Sequence, residues 1–476
     1  MINNRPYTIL ITGTILFGVI LIVWWLFHDP VKSLTISVPG MDKHGSGAKI
    51  KLQEVKIGET FTFFGTTEEI EGPGWPRFRG SNIDNISKEN VPLIEKWGNF
   101  QERIRWKVEL GEGHAAPAIY GGRVYLLDYD EKKKTDALRC FSLLSGKELW
   151  CREYKVHLKR NHGLSRTIPA INAKYAVTIG PKCQVMCVDR ITGDLKWGID
   201  MVKQYETEVP FWYTGQCPLL EGDTLILAPG GKALMTAIDC KTGKTIWETP
   251  NPKQWKMSHA SVVKQTLGGK LMYIYFAIGG ICGVSGSGSD VGKILWETAE
   301  FAPAVIAPTP VVLDDGRILM TAGYGAGTAM VQVKQQGGGW SVKMVQLFRP
   351  QEGIASEQQT PVFYKGTVYA ILPKDAGGAR NQFVAVSPVD GKKILATSGK
   401  NERFGLGPYL AADGKFFILN DDGEMTIARA SATSFVTLDK ARILQGQDAW
   451  GPMAISGGYL LARDSKQMVC IDIRKK

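Results

Sequence analysis

SGKELW at residues 145–150, TGDLKW at 192–197, TGKTIW at 242–247 and VGKILW at 291–296 are near-copies of one hexapeptide. Each places a Gly four residues before a Trp, and the four glycines at 146, 193, 243 and 292 follow one another at steps of 47, 50 and 49 residues. A Gly at a tight turn between two apolar runs supplies the positive φ that a hairpin needs. The Trp then begins a strand whose large ring must find cover. A second signal keeps the same beat. Pro117, Pro169, Pro218, Ser261, Pro310, Pro361, Pro408 and Pro452 stand ahead of the first strand of successive units, at intervals between 43 and 52 residues. Only the fourth of these anchors lacks Pro. A repeat of about 45–50 residues with four short strands is the signature of propeller blades. Helical solenoids of similar period are excluded, because YAVTIG (175–180), TLILAPG (224–230) and FVAVSP (383–388) are β-branched, alternating and bounded by Gly or Pro. The later units lose the hexapeptide: Gly391 is followed by Leu395, and the seventh unit has no Trp there.

Ring closure follows from the count of strands. After Pro452 the chain has room for MAI (453–455), YLLARD (459–464) and MVCIDI (468–473), and a fourth strand is missing. RIRWKVEL (103–110) lies ahead of the first blade, and its Trp106 precedes Trp150 by 44 residues, one repeat. The expected fold is therefore an all-β, eight-bladed β-propeller whose N-terminal strand completes the last blade, leaving no open edge around the ring.

Ahead of the ring, Tyr7 to Phe27 is an uncharged apolar run of 21 residues, long enough for a hydrocarbon core of about 30 Å. Trp24 and Trp25 suit the far membrane interface. A cleaved signal peptide is the alternative, but no small-residue cleavage site precedes His28-Asp29-Pro30, and no cysteine follows to accept a lipid. The reading is an uncleaved anchor. Arg5 and the amino terminus bias the short N-terminus toward the cytoplasm, which places the body on the periplasmic or extracytoplasmic side of the inner membrane. The domains are thus 1–30 (transmembrane anchor), 31–72 (a small β lead-in, with strands at LTISV 34–38 and within 51–64) and 73–476 (the propeller). The net charge of +11 suits anionic headgroups, and its dispersal, without an aromatic-interleaved basic motif, argues against nucleic acid.

VDRITGDLKW (188–197) and IDCKTGKTIW (238–247) resemble the tryptophan-docking repeat of the pyrroloquinoline-quinone (PQQ)-like propeller superfamily, and WPRFRGSNIDNIS (75–87) is similar to the leader that precedes many such bacterial propellers. The resemblance covers residues 75 to 473. It implies an eight-bladed ring but not one activity, since the superfamily holds both quinoprotein dehydrogenases and non-catalytic envelope scaffolds of the outer-membrane assembly type.

Segments just ahead of the innermost strands converge on one mouth of a propeller's channel. Here they carry His114, Arg166, Gln216, Ser258, His259, Gln358, Gln359 and Trp450, and adjacent connections add Asn161, His162, Trp212 and Tyr213. The ligand-site candidates are His114, His162, Arg166, Trp212, Tyr213, Gln216, His259, Gln359 and Trp450, with Arg166 the natural partner of a carboxylate or phosphate. The alternative is that these groups satisfy buried loop backbone and line a wet channel. No metal site is expected. There is no HxxxH pair, CxxC or CxxCH, and DDGE (421–424) reads as a hairpin turn. Among eight cysteines, Cys140 and Cys151 are symmetric about Ser145-Gly146 and form the disulfide candidate, with two free buried thiols as the alternative.

The functional expectation is a membrane-anchored, extracytoplasmic scaffold or binding protein for an envelope partner or a small ligand, without a cofactor. The alternative is a PQQ-dependent dehydrogenase using PQQ and calcium. Such an enzyme needs a carboxylate-and-amide calcium site and often carries adjacent cysteines. The chain has no Cys-Cys pair, and its nearest carboxylates to the mouth are Glu357 and Asp448.

Overall fold

The computed structural model describes residues 5–28, 54–72, 74–159, 164–446 and 448–475. The chain divides into two units, residues 1–51 and 52–476. The first contains helix α1, Arg5–Phe27, which is long and apolar enough to cross a membrane. LTISV (34–38) lies outside the described residues.

The second unit is an eight-bladed all-β propeller. Blade one is Ala118–Tyr120, Arg123–Asp130, Thr135–Ser142 and Glu148–Lys155, paired antiparallel in that order. Blades two to seven repeat the four-stranded meander. Blade eight takes Ala454–Ser456, Tyr459–Arg463 and Gln467–Asp472 from the C-terminus and Ile104–Glu109 from the N-terminal side, with Trp106 opposite Cys470. This is the closure that the strand count requires. Fully buried Arg463 seals the seam by donating to the carbonyls of Gly111 (3.2 Å) and Ala115 (3.2 Å) at the start of blade one.

Middle strands such as Tyr175–Ile179 are buried at every residue, because neighbouring blades cover both faces of the sheet. Outer strands such as Leu195–Asp200 are half exposed. The hexapeptide glycines sit at positive φ, and a Cβ on each would strike the Trp of the preceding blade: Trp106 at Gly146 (2.5 Å), Trp150 at Gly193 (2.9 Å), Trp197 at Gly243 (2.8 Å) and Trp247 at Gly292 (3.0 Å). Two requirements, turn geometry and close approach of an indole, thus fall on one residue. Trp296 departs from the series. It packs on Gly283 of its own blade, where a Cβ would meet it at 2.3 Å, and donates to the Met272 sulfur. Blade five has no matching Gly to receive it, because its last two strands, Gly327–Gln336 and Gly339–Phe348, form a long hairpin turning at Gly337-Gly338. Phe348 restores the contact onto Gly391 of blade six.

Three sequence expectations are corrected. The described lead-in residues contribute one strand, Thr60–Phe63, and it is the fifth strand of blade one rather than a separate element, paired to Trp150–Glu153. Its Phe61 ring lies under the Arg152 guanidinium, 4.5 Å away. Cys140 and Cys151 do not face each other: Cys140 stands opposite Trp150, and Cys151 opposite Arg139. The register shifts between Cys140 and Phe141, and with side chains alternating faces a one-residue offset sends the two thiols to opposite sides of the sheet. All eight cysteines are free thiols. The Pro position of blade four belongs to Val262 rather than Ser261, as a hydrogen-bonded belt around the channel shows.

Candidate functional site

The belt is built from the residue just ahead of each anchor. Ile168 N–H donates to Cys217 Sγ (3.2 Å), Cys217 N–H to Ser261 Oγ (3.0 Å), Ser261 N–H to Thr309 Oγ1 (3.1 Å) and Thr309 N–H to Thr360 Oγ1 (2.9 Å). Small side-chain acceptors therefore stitch blades two to six together beneath the mouth, satisfying buried N–H groups that the short innermost strands leave unpaired.

The leader runs across the same channel. Trp75 bridges Ile119 of blade one, Pro76 accepts from Ile171 N–H of blade two (2.8 Å), and Arg77 pairs with Glu221 of blade three (2.9 Å). Arg79 then reaches blade six, Asn85 hydrogen-bonds Tyr409 O of blade seven, and Ile86 bridges Ala411. Blades three and seven are opposite in a ring of eight, so the leader spans the channel. Its buried Arg79 holds four carbonyls, those of Ile83 (3.0 Å), Asp84 (3.1 Å), Thr360 (3.0 Å) and Pro361 (3.0 Å). Burial lowers the Arg79 pKa to about 10, with Tyr409 and Asp84 opposing, so it stays a cation at neutral pH.

Between the leader and the mouth lies a cavity of about 350 Å³. Six of the sequence candidates line it: His114, Arg166, Trp212, His259, Gln359 and Trp450. Trp212 is the middle of an aromatic layer, stacked on Tyr324 (centroids 5.7 Å, 22°) and facing His259 (6.2 Å, 29°). His114 meets Trp450 at 4.5 Å. Gln359 Nε2 donates to the carbonyls of Trp450 (2.9 Å) and Leu406 (3.3 Å), tying blades six, seven and eight. Arg166 is set by its neighbour: Ser165 O accepts from His114 N–H (2.8 Å) and Ala115 N–H (2.9 Å), and Ser165 Oγ donates to Asp136 (3.0 Å). Burial lowers the Arg166 pKa to about 10 and leaves it charged, with the Tyr324 and Tyr213 phenols acting the other way. Burial, then the Arg166 charge, drops His259 to about 4, so its imidazole is neutral at pH 7. Among the described residues its Nδ1 has no hydrogen-bond partner, and a Cβ on Gly215 would sit 2.9 Å from it.

The remaining candidates serve the scaffold or fall outside it. Gln216 is fully buried and clamps the backbone of Ala228 through both ends of its amide, also donating to Tyr275 Oη (3.2 Å). Tyr213 Oη accepts from Lys159 N–H and donates to Lys159 O, each at 2.8 Å. Ser258 is consumed by Phe276 O and Tyr275 Oη. His162 and Asn161 lie outside the described residues. DDGE (421–424) forms a turn between Lys415–Leu419 and Glu424–Arg429, with Asp421 paired to Arg403.

Sequence reasoning missed Tyr324, Lys374, Phe78 and Asn85, all in the cavity wall. Tyr324 and Lys374 sit on connections between second and third strands of their blades. An antiparallel meander brings those connections to the same end as the segments ahead of the first strands, and this was the available signal. Phe78 and Asn85 arrive with the leader. Burial raises the Glu357 pKa, Lys374 opposing it and Asp375 adding to it.

A calcium-bound quinone would find one carboxylate here, beside the amides of Asn85, Gln358 and Gln359. Glu357 is the one acid among the described residues lining the cavity, and no group of three His, Cys, Asp or Glu among the described residues is placed to hold a metal ion.

Residues 134–394, more than half of the chain, match the PQQ-repeat family described as outer membrane protein assembly factor BamB. The chain belongs to that family. No curated protein matches it in sequence. BamB from Moraxella catarrhalis is a similar solved structure, with a TM-score of 0.52 at 12% identity over 77% of this chain and 99% of that one. The quinohemoprotein alcohol dehydrogenase from Comamonas testosteroni matches at 0.56, also 12% identity, over 85% of this chain and 81% of that one. A designed protein, Ika8, matches at 0.51 over 78% of this chain and 99% of that one. These structural likenesses show the propeller fold alone.

Proposed function

We propose that this BamB-family chain is a membrane-tethered extracytoplasmic propeller whose channel mouth holds an envelope protein partner or a small ligand without transforming it. The observation that carries this reading is the make-up of the mouth. An aromatic layer (Trp212, Tyr324), a half-buried cation (Arg166) and a neutral His259 converge on one concavity, which is the composition of a recognition site. Helix α1 supports the tether, and exposed Phe211 beside Trp212 supports contact at the rim. The test is purification of the full chain from native membranes. A component should co-purify with the wild type and be lost with Trp212→Ala, and the N-terminus should be intact at Met1 or Ile2. A mature terminus near residue 30 would remove the tether. Calcium- and PQQ-dependent dye reduction with a primary alcohol or aldose, abolished by Glu357→Ala, would overturn the non-catalytic reading.

A further inference from the structure

We infer that the cavity selects a carboxylate attached to a small planar apolar body, with Arg166 receiving the acid and the Trp212–Tyr324 layer receiving the body. This rests on the reading of the mouth as a binding site and names the class of ligand it takes. Charge gives the sign: Arg166 and Lys374 line the cavity against the single described acid Glu357. His259, neutral at pH 7, adds polarity without a second acid.

Preorganisation gives the strength. Arg166 follows a residue whose carbonyl and hydroxyl are both engaged, so the backbone that carries it is held before a ligand arrives. A planar guanidinium in a desolvated wall suits the fork of a carboxylate better than a point-charge ammonium would. Size gives the limit. The cavity volume of about 350 Å³ lies at the small end of the range for ligand pockets. A phenyl or indolyl acid fits. The same chemistry is presented by a free aromatic acid and by the C-terminal aromatic residue of a polypeptide.

The experiment titrates the full chain in detergent with phenylacetate and phenylacetamide, and with acetyl-Gly-Gly-Phe as its free acid and as its amide, following tryptophan fluorescence and calorimetry. The acids should bind at least about tenfold more tightly than the matched amides. Arg166→Gln should erase that preference, and Arg166→Lys should keep part of it. Binding of phenylacetate alone assigns a small-molecule acid, and binding of the peptide acid alone assigns a polypeptide terminus. Should Arg166→Gln fail to fold, Lys374→Gln decides: it must weaken the acids and leave the amides unchanged. Amides binding as well as acids would overturn the carboxylate assignment while leaving the mouth as a binding site. No binding of any acid at millimolar concentration, with Trp212→Ala still stripping the co-purifying component, would do the same. Loss of neither component nor probe with Trp212→Ala would sink the underlying reading instead.

Discussion

Asp136 shows how one buried group couples stability to the site. Its carboxyl is fully buried, receives Tyr154 Oη (2.8 Å) and Ser165 Oγ (3.0 Å), and is raised to about 7. Burial is the leading cause, both hydrogen bonds oppose it, and Asp128 adds to it. The folded state thus binds a proton that the unfolded chain releases near pH 4. This group's contribution is fully present below about pH 4 and is lost as pH rises through about 7. Wild-type stability relative to Asp136→Asn should therefore fall across that window, by on the order of a few kcal/mol, and level off above it. Denaturant unfolding of both proteins from pH 4 to 8 measures the difference, and a flat difference would show that Asp136 is ionised throughout. At this scale the sequence named the site residues unevenly. His114, Arg166 and His259 were legible because position in the repeat puts them at the mouth. Gln216, at an equivalent place, turned inward because Ala228 offered both a donor and an acceptor to its amide.

At the scale of elements, the belt ahead of the anchors does work that hairpin pairing does not. Thr360 Oγ1 is the acceptor for the buried Thr309 N–H. Thr360→Val preserves shape but strands that donor, at a cost of about 1–3 kcal/mol, whereas Thr360→Ser keeps the bond. Thermal unfolding should show a lower midpoint for the valine variant and a near-wild-type midpoint for serine. Equal midpoints would mean that the belt is incidental. The same element explains the misplaced fourth anchor. With Pro absent from blade four, the hydroxyl that precedes the anchor was the surviving mark, and Ser261 carries it. The Cys140–Cys151 expectation failed for a kindred reason. A single bulge changes the parity of an antiparallel pair, and no residue in SGKELW marks where the shift falls.

For the whole molecule, closure makes a sharp prediction. A chain beginning at Gly111 lacks the outer strand of blade eight and the entire leader, and should lose cooperative unfolding. One beginning at Leu52 retains every described strand of the ring and should unfold cooperatively. One beginning at Gly72 should fold with a lower midpoint, because it loses the strand Thr60–Phe63 and the Gly58 carbonyl that accepts from Arg152 (2.8 Å). Calorimetry of the three lengths tests this, and a fully cooperative Gly111 chain would contradict the eight-blade closure. The sequence by itself determined the number of blades, the closing strand and the end of the channel at which six of the candidate residues gather. Each depends on local turns and on a period, which are properties of order along the chain. The tertiary structure alone decided that the leader crosses the channel, that Tyr324 and Lys374 join the mouth, and which thiols face which. Those depend on how eight twisted sheets curve into a ring and on single-residue shifts in register, and neither leaves a mark in the spacing of residues.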